Sequence, residues 1–385
     1  MSKAVAMPYW RLSAYYLFYF GALGALVPFW GPYLQSHGFS AAAIGALMAI
    51  LMGTKLAAPM LWGWLADHFG ARMPLVRVSA FATCVTFVAI FWTQSLWSVA
   101  AVMLVFSFFW NAALPQMESV TFNHLGAAAN RYARVRLWGS VGFILVVGVL
   151  GWWVGLAGTG VIPGTVLALF VAVWMSAMLV PDCSHSQQAH PAPSIRRLLA
   201  RPEIAFFLLS CFLMQFSHGI YYAFYSIHLE AAGYSSALVG VLWAFGVVAE
   251  VLVFLRMHWL LERFGARRIL LASLVLAVLR WNLIGWLAPI LVIQVLAQSL
   301  HAATFGAFHA SAIHLVHHYF PGSVQGRGQA LYNSLSFGAG GGAGSLLGGQ
   351  LWGPLGAGPT FALGSAAALI GWLCVFWFVD RERRF

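Results

Sequence analysis

Charge is scarce in this chain. Asp, Glu, Lys and Arg make up only 8% of its 385 residues, against about 25% in a soluble domain. Acids are the rarer sign, with nine Asp and Glu against 20 Lys and Arg. A chain this poor in charge and 62% hydrophobic does not have water as its main solvent. Cysteine is sparse as well. Cys84, Cys211 and Cys374 fall in apolar stretches and Cys183 in a polar one; no pair has metal or redox spacing, so no disulfide is expected. A GxxxxGK[ST] nucleotide loop is missing, which leaves ATP without support as the energy source. An intramembrane enzyme finds no HExxH or HxxxD box. Polar sequence is confined to one long break, Pro181–Glu203, rich in Ser, Gln, His and Pro.

Apolar runs fill the rest. A membrane-spanning helix needs about 20 such residues, and the pattern predicts twelve spans at 9–33, 41–66, 74–93, 96–123, 134–156, 161–180, 204–229, 236–259, 268–287, 289–317, 328–350 and 358–379. The chain also repeats itself 195 residues apart. Gly24 falls on Gly219, Leu34 on Leu229, Gly38 on Gly233, Ser40 on Ser235, Gly45 on Gly240 and Trp64 on Trp259. The run Phe69-Gly70-Ala71-Arg72 falls on Phe264-Gly265-Ala266-Arg267. In so apolar a chain this predicts an all-α membrane protein of two pseudo-symmetric six-helix bundles. The expected division is 1–180, a linker 181–203, and 204–385.

The net charge of +11 does not point to nucleic acid, because of where it sits. Basic residues cluster before span 1, after span 2, before span 5, in the linker, after span 8, before span 11 and at the end. The alternate loops near 35–40, 94, 158, 231, 288 and 355 contain no Lys or Arg. The positive-inside rule then places both termini in the cytoplasm and requires an even number of spans.

Between spans 2 and 3 lies Gly63-Trp-Leu-Ala-Asp67-His-Phe-Gly70-Ala-Arg72, with a degenerate copy at Glu262-Arg-Phe-Gly265-Ala-Arg267-Arg268. This resembles the signature loop of the major facilitator superfamily. A carboxylate at a helix end pairs with arginines while glycine turns the chain. The resemblance implies a conformational latch made of Gly63, Asp67, Gly70 and Arg72, with Glu262, Gly265 and Arg267 as its second copy. The opening of span 5, Arg134-Val-Arg136-Leu-Trp138-Gly139-Ser140-Val-Gly142-Phe143, is similar to that of the lactose permease group of proton symporters. That likeness implies substrate contacts from Arg136 and Glu118, with Phe143 as the aromatic that stacks on the solute. Further segments, Arg136-Leu-Trp-Gly-Ser140, Ala232-Gly-Tyr-Ser235, Gly246-Val-Val-Ala-Glu250-Val, Val278-Leu-Arg280-Trp and Leu300-His301, resemble the bacterial 3-phenylpropionate (hydrocinnamate) permease family.

Charges inside spans are costly, and they face a cavity or a partner. Lys55, Glu118, Glu250 and Arg280 are of this kind, with Arg136 at the entrance of span 5 and His218, His301 and His309 in spans 7 and 10. Lys55 and Glu250 are repeat mates. Three readings compete for Glu250: pairing with Lys55 across the seam, pairing with Arg280 within the second half, or direct contact with the substrate. Glu250, Arg280 and His301 resemble the coupling residues of lactose permease, but Thr304 stands where that group carries its proton on an acid. The proton is then expected on Glu250, with Glu118 and His301 as alternatives. His309, His314, His317 and His318 have helical metal-like spacing, yet the last three lie at a membrane interface, and no metal or other cofactor is expected. Aromatic residues crowd spans 1 and 7. Tyr19 and Tyr222 offer a π face and a hydroxyl to a substrate, and His218 lies beside them.

Glycines stud span 11, with GxxxG pairs at Gly338/Gly342, Gly340/Gly344 and Gly344/Gly348. They predict close helix packing, either static or along a surface that slides. The resulting expectation is a twelve-helix transporter of the inner membrane, a monomer with neither enzyme activity nor nucleic-acid partner. It would use alternating access to import an aromatic carboxylic acid such as 3-phenylpropionate with a proton. A sugar or nucleoside symporter, or a non-transporting sensor of the same fold, are the alternatives.

Overall fold

The computed structural model describes residues 7–183 and 198–379, and among them it contains helices and no strand. The first half is α1 (Tyr9–Ser36), α2 (Ala41–Phe69), α3 (Met73–Val88, prolonged by a tight turn at Ala89–Trp92), α4 (Leu96–Leu125), α5 (Tyr132–Ala157) and α6 (Val161–Leu179). The second is α7 (Pro202–Ala231), α8 (Ser236–Phe254), α9 (Met257–Trp286), α10 (Leu291–Tyr319), α11 (segments Gln325–Asn333, Ser334–Gly340 and Gly341–Leu355) and α12 (Ala357–Phe378). All twelve predicted spans have a helix. One boundary is corrected: α9 starts at Met257 and not at 268, because the expected loop is itself helical up to a single break at Gly265, φ +74. Most of the predicted linker lies outside the described residues. Among the described residues, eleven helices are long and apolar enough to cross a membrane; α11 falls short because glycine and serine lower its hydropathy.

The repeat is visible first in local geometry. Ser40 and Ser235 cap α2 and α8 by accepting the backbone N–H of Ala43 and Leu238. Two residues before each serine stands a glycine in the left-handed region, Gly38 at φ +81 and Gly233 at φ +93, where a side chain would be strained.

The same symmetry governs packing. Within the halves, α1 packs on α5 and α6, α2 and α3 on α4, α7 on α11 and α12, and α9 on α12. Between the halves, α2 lies along α11 and α5 along α8, a single contact used twice. Glycine permits both seams. A Cβ on Gly45 would stand 2.5 Å from the Ser345 carbonyl and 2.7 Å from the Gly349 Cα. A Cβ on its mate Gly240 would stand 2.5 Å from the Val147 carbonyl, beside Gly151. Gly31 of α1 adds a third such approach, 2.8 Å from the Ala223 carbonyl of α7. These three contacts sit at the end of the molecule where α1 finishes and α2 and α8 begin, and the halves are therefore closed on each other there.

Helix α11 uses its glycines on two faces. Gly340 and Gly344 lie on the Phe212 and Phe216 carbonyls of α7, inside its own bundle, while Gly342 and Gly349 lie on Ala49 and Ala41 of α2, across the seam. Static packing and a bundle-to-bundle surface are thus both present, one on each face. The first kind has a mate in the other half: Gly142 of α5 lies on the Leu17 carbonyl of α1 as Gly340 lies on the Phe212 carbonyl. Gly142→Ala is expected to cost about 3 kcal/mol or more, since the added carbon overlaps backbone that has no rotamer to give. A thermal melt of purified protein checks this, with Gly148→Ala, whose Cβ meets nothing within 4 Å, as the unchanged control.

Candidate functional site

The charged groups of the second half converge on α10. Glu250 of α8 approaches His301 Nε2 at 3.5 Å, with both side chains largely buried. The approach depends on Gly306, where a Cβ would stand 3.0 Å from Glu250 Cγ. Here α10 widens into a π-helical segment, Ala302–Ala307, a distortion found often at functional sites. One face of α10 carries a ladder of rings: His301 stacks on Phe305 with centroids 5.2 Å apart, and Phe305 on His309 at 6.1 Å. His309 Nδ1 lies 2.8 Å from the Tyr332 hydroxyl of α11.

Arg280 is fully buried. Its guanidinium donates to the Ala297 carbonyl at 2.9 Å, to Thr304 Oγ1 at 3.0 Å and to Gln298 Oε1 at 3.3 Å. The rings of Tyr221 and Trp281 face it at 4.5 and 4.6 Å. Among the described residues no carboxylate pairs with it. The expected Glu250–Arg280 pair is therefore corrected: Thr304 occupies the place beside the arginine with a neutral oxygen, and Glu250 turns to His301. The alternative partner, Lys55, does not hold Glu250 either. Among the described residues its ammonium approaches only Met52 Sδ, at 3.5 Å.

In the first half, Arg136 lies over the Phe20 ring at 3.6 Å. Glu118 accepts a hydrogen bond from the Tyr132 hydroxyl at 3.1 Å. Arg136 lies within electrostatic range of Glu118 in its own half, and His309 and then Arg136, across the α5–α8 seam, lie within range of Glu250. Two expected contacts are placed elsewhere. Tyr19 is buried against Trp110 and Tyr15 and donates to the Trp110 carbonyl, inside the bundle. Phe143 is buried against Gly24 at the α1–α5 contact. Tyr222 remains partly exposed beside His218, and His218 is fully buried with Nδ1 on the Met214 carbonyl. Sequence reasoning missed Phe20, Phe305 and Gln298. Phe20 adjoins the aromatic run of α1, and Phe305 lies four residues from His301, so helical periodicity was the available signal for both.

In the first copy of the signature loop, Arg72 pairs with Asp67 at 2.9 Å and donates to Gln116 of α4 at 2.7 Å, with Gly63 facing Gln116 and Gly70 left-handed at φ +66. The second copy differs. Glu262 meets His258 one turn earlier, at 3.1 Å, and Arg267 donates to the Phe376 and Val379 carbonyls at the end of α12. In the first half that task belongs to Arg77, on the Ala177 and Val180 carbonyls ending α6. A cation at a helix C-terminus satisfies orphan carbonyls and the helix dipole, so the repeat preserves the task and moves the residue.

Known proteins share both sequence and fold with this chain. It is 31% identical over 341 residues to a probable 3-phenylpropionic acid transporter of Escherichia coli K12, covering 85% of this chain and 86% of that one. It is 26% identical over 380 residues to a maltose permease of Geobacillus stearothermophilus, covering 97% and 96%. The crystal structure of the nucleoside transporter NupG has the same fold, with a TM-score of 0.83 at 17% identity over 97% of this chain and 98% of that one. The model of the MFS_1 like family matches residues 9–363, and the chain belongs to that family of major facilitator secondary transporters.

Proposed function

We propose that this transporter imports an aromatic carboxylic acid such as 3-phenylpropionate together with a proton, as a monomer in the bacterial inner membrane with both termini cytoplasmic. One observation carries the substrate class. Leaving aside charges that sit at or cap helix ends, such as Arg11, Arg77 and Glu230, the spans among the described residues hold three cations, Lys55, Arg136 and Arg280, against two carboxylates, Glu118 and Glu250. With neutral histidines one positive charge is left over, and a monoanionic solute would balance it. Uncompensated charge at this depth is expensive, so the charge balance favours an anion over a neutral solute. The aromatic rings near these charges, Phe20, Tyr222 and Phe305, suit a flat apolar body. The name of the 3-phenylpropionic acid relative agrees with this reading. The proton is assigned to Glu250, whose contact at 3.5 Å is a histidine, with Arg136 acting only from longer range. The arginine-free loops at the end remote from the termini support the orientation.

A sugar or nucleoside is the second reading, favoured by the maltose permease and nucleoside transporter likenesses. Proteoliposomes with an imposed pH gradient separate them: labelled 3-phenylpropionate is expected to accumulate, and maltose and uridine are not. Accumulation of either neutral solute without the acid would overturn the substrate assignment. Counterflow in the same vesicles distinguishes a transporter from a sensor, which binds without exchange.

A further inference from the structure

We infer that Lys55 is the residue that binds the carboxylate of the transported anion, an assignment that rests on the anionic substrate proposed above. The three cations within the spans differ in their surroundings, and elimination leaves one. Arg280 is sealed at 0% exposure between two aromatic rings and has three oxygen acceptors. Arg136 is stacked on Phe20 and lies in the fields of Glu118 and Glu250. Lys55 has neither an oxygen acceptor nor an acid for its ammonium among the described residues; only a thioether is within reach.

Its position on α2 directs it inward. Thr54 beside it binds Ser107 and Asn111 of α4, and Leu56 on its other side packs on Gly338 of α11. Lys55 points between these two contacts, on the face it shares with the buried Met48, Leu51 and Met52, and it keeps partial exposure there. The exposed Met60, Leu61 and Trp64 lie toward the opposite side of the helix. An ammonium held inside a membrane by a sulfur atom lacks the hydrogen-bond acceptors that a charged donor requires, and a carboxylate supplies them.

The repeat gives the assignment its logic. Lys55 and Glu250 occupy equivalent positions on α2 and α8. At the α5–α8 seam Glu250 has Arg136 in electrostatic reach and His301 at 3.5 Å. At the α2–α11 seam the matching neighbour is Ser334, whose hydroxyl donates to the Lys55 carbonyl at 3.4 Å and carries no charge. One seam therefore balances its own charges, and the other presents an unmatched cation to the solute.

The test uses the purified full-length protein and measures binding of 3-phenylpropionate and of its neutral amide. Lys55→Met is expected to weaken binding of the acid by about tenfold or more, the size of a lost charge-assisted contact, and to leave the amide unchanged. Lys55→Arg, which keeps the charge, is expected to restore most of the loss, and a thermal melt identifies any variant that fails to fold. Acid binding unchanged in Lys55→Met, or an equal loss for acid and amide, would overturn the assignment. If the wild type binds no aromatic acid, the substrate reading fails by itself. The lysine is then tested on the solute the wild type does take up: an anion weakened tenfold by Lys55→Met upholds it, and a neutral solute overturns it.

Discussion

Replacing Gly45 and Gly240 together by leucine is expected to abolish transport while both bundles stay folded. The two glycines are the tightest points of the α2–α11 and α5–α8 seams, each 2.5 Å from a carbonyl of the opposite half when a Cβ is added. A leucine cannot move away from backbone, so the halves must separate at that end. At about 2 kcal/mol for each overlap, the pair disfavours the closed arrangement by about 4 kcal/mol, or about three orders of magnitude in population. A carrier that cannot close one end cannot return its site to the other. The double variant should thus show counterflow near zero, elute as a monodisperse species and melt close to wild type, since neither clash lies within a bundle. Gly53→Leu on the same helix is the control, as nothing lies within 4 Å of its Cβ. Wild-type counterflow in the double variant would show that the seams do not need to close.

Glu250→Gln should uncouple the carrier without stopping exchange. Glutamine has the shape of glutamate and fits beside Gly306 and His301, but it cannot take up and release a proton. A pH difference of one unit supplies about 1.4 kcal/mol per proton, enough for about tenfold accumulation. Wild-type vesicles should reach a ratio of that order, and the variant should stop at equal concentrations on both sides. Counterflow, which needs no net proton movement, should persist in the variant. A Glu250→Gln protein that still accumulates substrate would place the proton elsewhere, with Glu118 next in line, because its hydrogen bond comes from the neutral Tyr132 hydroxyl.

These two experiments depend on features read at different levels. Gly45 and Gly240 were visible as repeat mates before any helix was placed, and their contacts follow from the pairing of α2 with α11 and α5 with α8. The aromatic residues were legible as a crowd, but not as a site. Tyr19 and Phe20 are adjacent in sequence and about 100° apart around the helix; one turns into the bundle against Trp110, and the other turns under Arg136. Phe143 follows Arg136 by seven residues and so lies on the same side of α5, yet it is spent on the contact with Gly24. The second signature loop shows the same limit. Its sequence repeats the first, but its arginine caps α12 and its acid meets His258.

The sequence by itself determined the solvent, the number of spans, the twofold plan and the turns that connect them. Those are local or periodic properties: twenty apolar residues, a glycine in a left-handed turn followed by a serine cap, a pattern repeated at a fixed offset. Only the tertiary structure decided which charge meets which. Glu250 had two candidate partners in sequence and took neither, because the close approach of α8 to α10 at Gly306 brings His301 within reach while Thr304 and Gln298 occupy Arg280. The partner of a buried charge is set by helix rotation and crossing, to within an ångström or two, and those are fixed by backbone contacts between segments far apart in the chain.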